Sequence, residues 1–369
     1  MRVLKLGDIN SPHLRRIVLG LRREGVEVAV FTLADPRDEW AKEHGVELHV
    51  QASGTSGSDL SKLRYLRAVP ALRSLINRYR PDLVHAHYAT SYGMLGALTG
   101  RRPLAISAWG SDVLVFPRKS TAHAIMLRWI LRRADVVFSI SKALTEACSR
   151  YAQVPIVQNP FGIDASVFRP GTSERPFPTG TLVFGTIKGL GPIYGTDVLL
   201  RSFARAVQLL PEVPLGLLIC GDGPERSTYQ DLSRSLGIAD RTVLTGRLVM
   251  DQVPAHHRMI DVFANLSRSE SFGVSVIEAS ATAVPVVATR VGGLPEVVIE
   301  GVTGLLVPVD DVEATAAAFV RLAHDPDLRA ALGSAGRVFV LNTFDEHRTI
   351  RTLVDTYAQL LGIKDAHQA

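Results

Sequence analysis

Cysteine is almost absent from this 369-residue chain: Cys148 and Cys220 sit far apart, each inside an apolar pattern. Two such residues exclude a disulfide framework and a thiolate metal site, and both read as inert core residues. No run approaches the roughly 18 apolar residues that a membrane span needs. The N-terminus, MRVLKLGDINSPH, enters a strand pattern with no signal-peptide pattern before it, so a cytoplasmic protein is expected. A G-x-G-x-x-G turn is missing after the first strand, and no acidic residue closes the second, which argues against a dinucleotide cofactor in the first half. Clusters of His, Cys or carboxylate at metal-ligand spacing are also missing. Asp325-Pro326-Asp327 precedes a helical pattern and reads as a helix cap, so no metal and no cofactor are expected. There is no internal repeat and no low-complexity tract.

What is present is an ordinary globular composition, 46% hydrophobic and long enough for two cores. Apolar runs alternate with helical patterns. Val3–Leu6, Val26–Thr32, Leu83–His85 and Val136–Ile140 read as strands in the first half, and Val183–Thr186, Leu215–Cys220, Val262–Ala264 and Val286–Ala288 in the second. Continuous apolar strands separated by helices imply parallel sheets covered on both faces, hence an α/β chain with two doubly wound, Rossmann-like domains. Arg169–Gly180, RPGTSERPFPTG, reads as a linker, which sets expected boundaries of 1–168, 169–180 and 181–344, with a final helix in 345–369. The formal charge of +5 is uneven: residues 1–150 hold 23 Lys and Arg against 13 Asp and Glu, a surplus of +10, and the remainder carries −5. A basic half suits an anionic partner or surface, or is simply a solvated arginine-rich face, and the acidic half argues against a chain-long nucleic-acid groove.

The chemistry concentrates in Ser267–Glu296, SRSESFGVSVIEASATAVPVVATRVGGLPE, which reads as loop, helix and buried strand. Glu270 precedes a helix start whose free amides at Phe272, Gly273 and Val274 suit an anion or sugar hydroxyls, and Glu278 follows about two turns in. One carboxylate can hold a sugar and the other a ribose; the plain alternative is two surface glutamates on an ordinary helix. Lys188 closes a strand in the same half, and Arg247 lies in the turn Gly246-Arg247-Leu248. In the first half, Ser11 and Pro12 mark a helix start after Gly7-Asp8, and His87 and Tyr88 lie past the strand Leu83–His85, where open α/β sheets bind ligands. Asp112 in Trp109-Gly110-Ser111-Asp112 either accepts from a ligand hydroxyl or caps the helix before Val113.

The segment S-x-x-E-S-F-G, the seven residues between the glutamates, A-x-P-V-V-A-T and G-G-x-x-E resemble the retaining family 4 glycosyltransferases of GT-B fold. The resemblance implies two Rossmann-like domains with a cleft between them. It implies a nucleotide-sugar donor bound by the second domain, with Glu278 on the ribose, Glu270 on the donor sugar, and the amides of Phe272, Gly273 and Val274 on hydroxyls and phosphate oxygens. Lys188, with Arg247 as a second cation, would neutralise the diphosphate. The first domain would hold the acceptor, Asp8, His13, Trp109 and Asp112 lining that side and His87 approaching the transferred sugar, while the C-terminal helix crosses back onto it. The chain departs from the family pattern in places: Ala283 replaces a glycine, Trp109 a histidine, Phe161 enters Asn159-Pro160-Phe161-Gly162-Ile163-Asp164, and Ile193 and Tyr194 stand where a second cation is usual.

The implied activity is metal-independent transfer of a hexose-type sugar, with retention, to an acceptor such as a lipid-linked, glycolipid or polysaccharide precursor. A sugar-nucleotide epimerase of the same fold and a sugar-nucleotide binding module without turnover are the alternatives. The stretch Leu60–Arg80, with Leu63, Leu66, Leu72, Leu75 and Ile76 among arginines, has the pattern of a basic amphipathic segment suited to an anionic membrane face, or of a domain helix with its leucines inward. Arg118, Lys119, Arg132 and Arg133 extend the patch.

Overall fold

Strand β1, Arg2–Leu6, carries Val3, Leu4 and Leu6 at zero exposure, and parallel neighbours flank it on both sides. The computed structural model describes residues 1–51 and 63–363. Within them the chain forms two compact units, residues 1–162 together with the C-terminal helix Glu346–Leu361, and residues 163–345.

The first unit is built on β1, β2 (Glu27–Thr32), β3 (Glu47–Val50), β4 (Leu83–His87), β5 (Leu104–Ala108), β6 (Val136–Ser139) and β7 (Ile156–Gln158), in the order 3-2-1-4-5-6-7. Every pairing is parallel. The order reverses between β1 and β4, so the loops leaving their carboxyl ends splay apart and open a crevice there. Helix Pro12–Arg23 starts as its sequence dictates: Ser11 accepts from the Leu14 amide and Pro12 occupies the first turn. It buries Leu14, Val18 and Leu21, and Gly20 admits Ile350 of the C-terminal helix so closely that a Cβ would lie 2.6 Å from that side chain.

Ile350, Leu353, Val354 and Tyr357 of the C-terminal helix join the same core as Val3 and Leu14. Each buried side chain of this size contributes about 1.5–3 kcal/mol before ordering entropy is subtracted. The helix Val69–Tyr79 turns Leu72, Leu75, Ile76 and Tyr79 inward. Leu72, Leu75 and Ile76 of the amphipathic stretch are therefore core residues of a domain helix, Leu66 is half-buried in the turn before it, and Leu60, Ser61, Lys62 and the side chain of Leu63 lie outside what is described.

The second unit is built on β8 (Leu182–Ile187), β9 (Leu215–Cys220), β10 (Thr242–Gly246), β11 (Val262–Asn265), β12 (Val286–Thr289) and β13 (Gly304–Val307), again parallel, in the order 10-9-8-11-12-13. Its reversal lies between β8 and β11. Phe184, Phe203 and Phe319 meet in the core, with Phe184 4.6 Å from Phe319 between ring centroids. Asp325 caps the helix Pro326–Thr343 by accepting from the Leu328 amide at 2.8 Å, so the D-x-D letters are a helix start.

The stretch Arg169–Gly180, which composition reads as a linker, belongs to this unit. Arg175 grips Asp261 with two hydrogen bonds of 2.7 and 2.8 Å, and the Phe177 ring fills the space over Gly216. Both cysteines are buried and free, and burial pushes each thiol up to about 12, as inert core residues require.

Candidate functional site

Lys188 follows β8 and Glu270 follows the next strand across the reversal, β11, so the sheet topology brings the two loops together. Their side chains form an ion pair and are only 13% and 14% exposed. The Lys188 ammonium also lies 5.3 Å from the ring centroid of Tyr194, a cation–π contact. Tyr194 thus occupies the place where the sequence resemblance leads one to expect a second cation, and it packs on the first.

Close backbone contacts fix both loops. Gly221, at φ +147°, lies where a Cβ would fall 1.7 Å from the Lys188 carbonyl oxygen. Gly292, at φ +54°, would put a Cβ 1.9 Å from the Glu270 carbonyl, and the neighbouring Gly293 amide donates to that carbonyl at 3.0 Å. Only glycine tolerates both the conformation and the approach. The G-G and G-D-G-P turns therefore shape the loops that carry the charges.

Gly273 precedes helix Val274–Ala281 in the left-handed region, Phe272 is buried, and the amides of the first turn begin at Val274. Glu278 is 8% exposed, with Oε2 3.6 Å from Nε2 of His257, a residue that sequence reasoning passed over. Glu278 is therefore no ordinary surface glutamate. Arg268, inside the same motif, holds Asp197 by two hydrogen bonds of 2.9 and 2.7 Å and Asp310 at 2.7 Å; its bonds to Asp197, set against burial, raise its pKa. It braces the Glu270 loop. Arg247 is exposed beyond β10 and pairs with no charged group among the described residues. The helix turn ends at Ala283, which adopts φ +61° where a glycine would relax.

In the first unit, His87 is the last residue of β4 instead of a loop residue, because the strand runs two positions beyond the apolar run that announces it. It is 1% exposed, and neither ring nitrogen has a hydrogen-bond partner among the described residues. His85 stacks on one side with centroids 4.3 Å apart, and Trp109 lies 5.1 Å away. Burial, then the nearby Lys5 charge, pushes the His87 imidazole well below the usual histidine range. Tyr88 follows at φ +77°, a strained position of the kind found at functional sites, with its hydroxyl 2.6 Å from that of Ser111.

His13 at the head of the first helix stacks on Phe161 at 4.0 Å and meets Trp109 edge-on at 6.0 Å. These three rings line a cavity of about 30 Å³ with Arg16, Asn159 and Glu346. Asp8 is exposed and accepts from the Asn10 amide. Asp112 is fully buried, and its carboxylate accepts from the amides of Ala89, Gly110 and Trp109 at 2.8, 2.8 and 3.2 Å. It therefore ties the loops after β4 and β5 to each other. Among the described residues no group of His, Cys, Asp and Glu could hold a metal.

A family model described as "Glycosyl transferases group 1" matches residues 172–339, and one described as "Glycosyl transferase 4-like" matches residues 2–141. The GDP-mannose-dependent alpha-(1-6)-phosphatidylinositol monomannoside mannosyltransferase of Mycolicibacterium smegmatis is 32% identical over 325 residues, 81% of each chain. The chain belongs to the group 1 glycosyltransferases. A D-inositol 3-phosphate glycosyltransferase of Saccharomonospora viridis is 35% identical over 95% of this glycosyltransferase and 89% of its own length.

Solved structures share the fold of this glycosyltransferase. A sucrose-phosphate synthase from Thermosynechococcus elongatus superposes with a TM-score of 0.86 at 21% identity, covering 98% of this chain and 99% of that one. The Anabaena protein HepE, in complex with UDP and glucose, gives 0.80 at 20% identity, covering 97% and 99%. The fold of this glycosyltransferase is accordingly GT-B.

Proposed function

We propose that this glycosyltransferase moves a hexose-type sugar, with retention at the anomeric carbon and without a metal, from a nucleotide-diphosphate sugar to a lipid-linked, glycolipid or polysaccharide precursor. The observation that carries this reading is the Lys188–Glu270 pair at the strand reversal of the second sheet, next to the open start of helix Val274–Ala281. In this reading the bond between the anomeric carbon and the diphosphate oxygen breaks, leaving positive charge on the sugar and negative charge on the departing phosphate. Lys188 and the helix amides stabilise that phosphate, the preorganised electrostatics that usually dominates such steps. The acceptor hydroxyl attacks from the same face and gives its proton to the leaving phosphate. Glu270 orients the sugar, and Glu278 holds the ribose. Arg247 supplies the second positive charge by moving in with the donor.

A lipid-linked acceptor is supported by the phosphatidylinositol-glycan substrate in the name of the mycobacterial relative. The surface of the first unit supports it too. Residues 115–133 contain no Asp or Glu, while Arg118, Lys119, Arg128, Arg132 and Arg133 are exposed beside Val115 and Ile125, 43% and 61% exposed. Arg133 lies 4.5 Å over the Trp129 ring. Basic and apolar groups on one exposed segment suit peripheral contact with an anionic membrane face, and no helix among the described residues is long and apolar enough to cross a membrane.

The experiment is to mix the protein with a panel of UDP- and GDP-sugars, with and without EDTA, and follow nucleotide release and the anomeric signal of the product by NMR. Release that is unaffected by EDTA, with product of the donor's anomeric configuration, is expected. An isomeric sugar nucleotide would instead indicate an epimerase, binding without release a module, and loss with EDTA restored by Mg²⁺ a metal-dependent transferase.

A further inference from the structure

Lys5 lies in β1 with zero exposure, and among the described residues no carboxylate faces it. Its Nζ is 2.9 Å from His85 Nδ1 and donates to the Tyr357 hydroxyl at 2.7 Å, and that hydroxyl is 2.6 Å from the same Nδ1. His85 Nε2 is 2.8 Å from the Ser107 hydroxyl. Strands β1, β4 and β5 and the C-terminal helix therefore each contribute one member to a closed, buried polar cluster. The cluster ends at His87, stacked on His85 at 4.3 Å. Around it, β6 contributes the apolar Phe138, 5.1 Å from His85, and the first helix and the C-terminal helix pair their charged side chains Arg23 and Glu346 with each other.

We infer that the Lys5–His85–Tyr357 cluster is a positioning device for His87: it clamps the imidazole by stacking, leaves both of its nitrogens uncommitted toward a ligand, and makes the C-terminal helix part of the site. The inference rests on the reading that His87 meets the transferred sugar. These contacts admit more than one proton arrangement, and the inferred device uses the following one. Nζ donates to the Tyr357 oxygen, the Tyr357 hydroxyl donates to Nδ1, and Nε2–H of His85 donates to Ser107, which fixes both tautomer and ring plane.

The charge follows from the same geometry. Complete burial without an acidic partner pushes Lys5, His85 and His87 all toward their neutral forms, and the charges that act on the two imidazoles are those of the other members of the cluster. The three groups titrate as one unit, and the first proton goes to the amine, which is intrinsically more basic than imidazole by about four pH units. Once charged, Lys5 opposes protonation of both rings. His87 is thereby kept uncharged, able to donate one hydrogen bond and accept another, to more acid pH than an ordinary histidine.

Histidine-labelled full-length protein, followed by long-range ¹H–¹⁵N correlation from pH 8 to 5, tests this. In the wild type, His85 is expected as the Nε2–H tautomer with both imidazoles neutral across the range. In Lys5→Met, the first proton falls on an imidazole, and the midpoint of His87 rises by about one pH unit or more. The acid limb of donor turnover, with GDP-mannose and UDP-glucose as probes, moves up with it, while KM for donor stays nearly constant. Wild-type rings that titrate at the ordinary histidine value overturn the inference whether or not Lys5→Met folds, and so does a Lys5→Met profile identical to the wild type. His87→Ala tests the underlying reading separately: unchanged turnover there removes His87 from the site even if the cluster behaves as described.

Discussion

Lys188 and Glu270 neutralise each other across the reversal of the second sheet, so each is the other's nearest counter-charge. Lys188→Ala should lower kcat by about 2–4 kcal/mol of transition-state stabilisation, roughly 30- to 1,000-fold. Glu270→Gln should also act on kcat more than on KM. Because the side chains are in contact, the double variant should lose less than the sum of the two single losses. Steady-state kinetics on all three variants is the measurement, and strict additivity would mean that the pair does not act as a unit.

Glu278→Ala should raise donor KM while sparing kcat, because a ribose contact exists in ground and transition states alike. Titrating the protein with UDP and GDP by calorimetry gives the same quantity without turnover. Unchanged affinity for both would move the nucleotide away from helix Val274–Ala281.

Ala283 holds φ +61° between helix Val274–Ala281 and β12, a conformation that strains any residue with a Cβ. Ala283→Gly should relieve that strain and stabilise the protein by about 0.5–1 kcal/mol, the relief being offset in part by the greater freedom of glycine in the unfolded chain. Differential scanning calorimetry would show a higher Tm for the variant; a lower one would mean that the methyl group packs better than the backbone is strained.

Lys5 should leave a mark on stability as well as on the site. Burial lowers its folded pKa well below 10.5. Between the two values the unfolded chain holds the proton and the folded chain does not, so stability rises with pH through that window and the contribution is lost on acidification. Lys5→Met should therefore be more stable than the wild type near pH 7, and the advantage should shrink toward pH 10. Urea midpoints from pH 6 to 10 measure it, and a gap independent of pH would show that Lys5 is not titrating.

Vesicle cosedimentation checks the membrane surface. Wild type should bind vesicles containing phosphatidylglycerol more tightly than pure phosphatidylcholine, and binding should weaken with salt. Replacing Arg132 and Arg133 by glutamate should reduce it by an amount on the order of 1 kcal/mol for each positive charge removed. Equal, negligible binding to both vesicle types would point to a soluble acceptor.

The central strands were legible because burial on both faces leaves nearly unbroken apolar runs, as in LGLLIC of β9. The edge strands β3, ELHV, and β10, TVLTG, mix polar residues into short runs, and β5, LAISA, sets Leu104 and Ile106 among alanine and serine, so none of the three stands out by hydrophobicity. Glu270, Glu278 and Lys188 stand out in the sequence through their motif and loop position. His257 and Asp197 do not, and Tyr194 does so only as a departure from the family pattern, since their contacts lie with a partner that the fold supplies from another element. Lys5 was the least legible: a lysine in an apolar strand gives no hint that Tyr357, 352 residues later, completes its surroundings.

The C-terminal helix belongs to the unit that the chain starts building first. Ile350, Leu353 and Tyr357 fill a core whose other members are made before the second unit, and Tyr357 is the partner of Lys5. The first unit is completed only after residues 346–361 are made. Chimeras that exchange this unit between relatives must carry residues 346–361 along with residues 1–162; a cut that leaves the helix behind would hand each protein a core shaped for someone else's final segment.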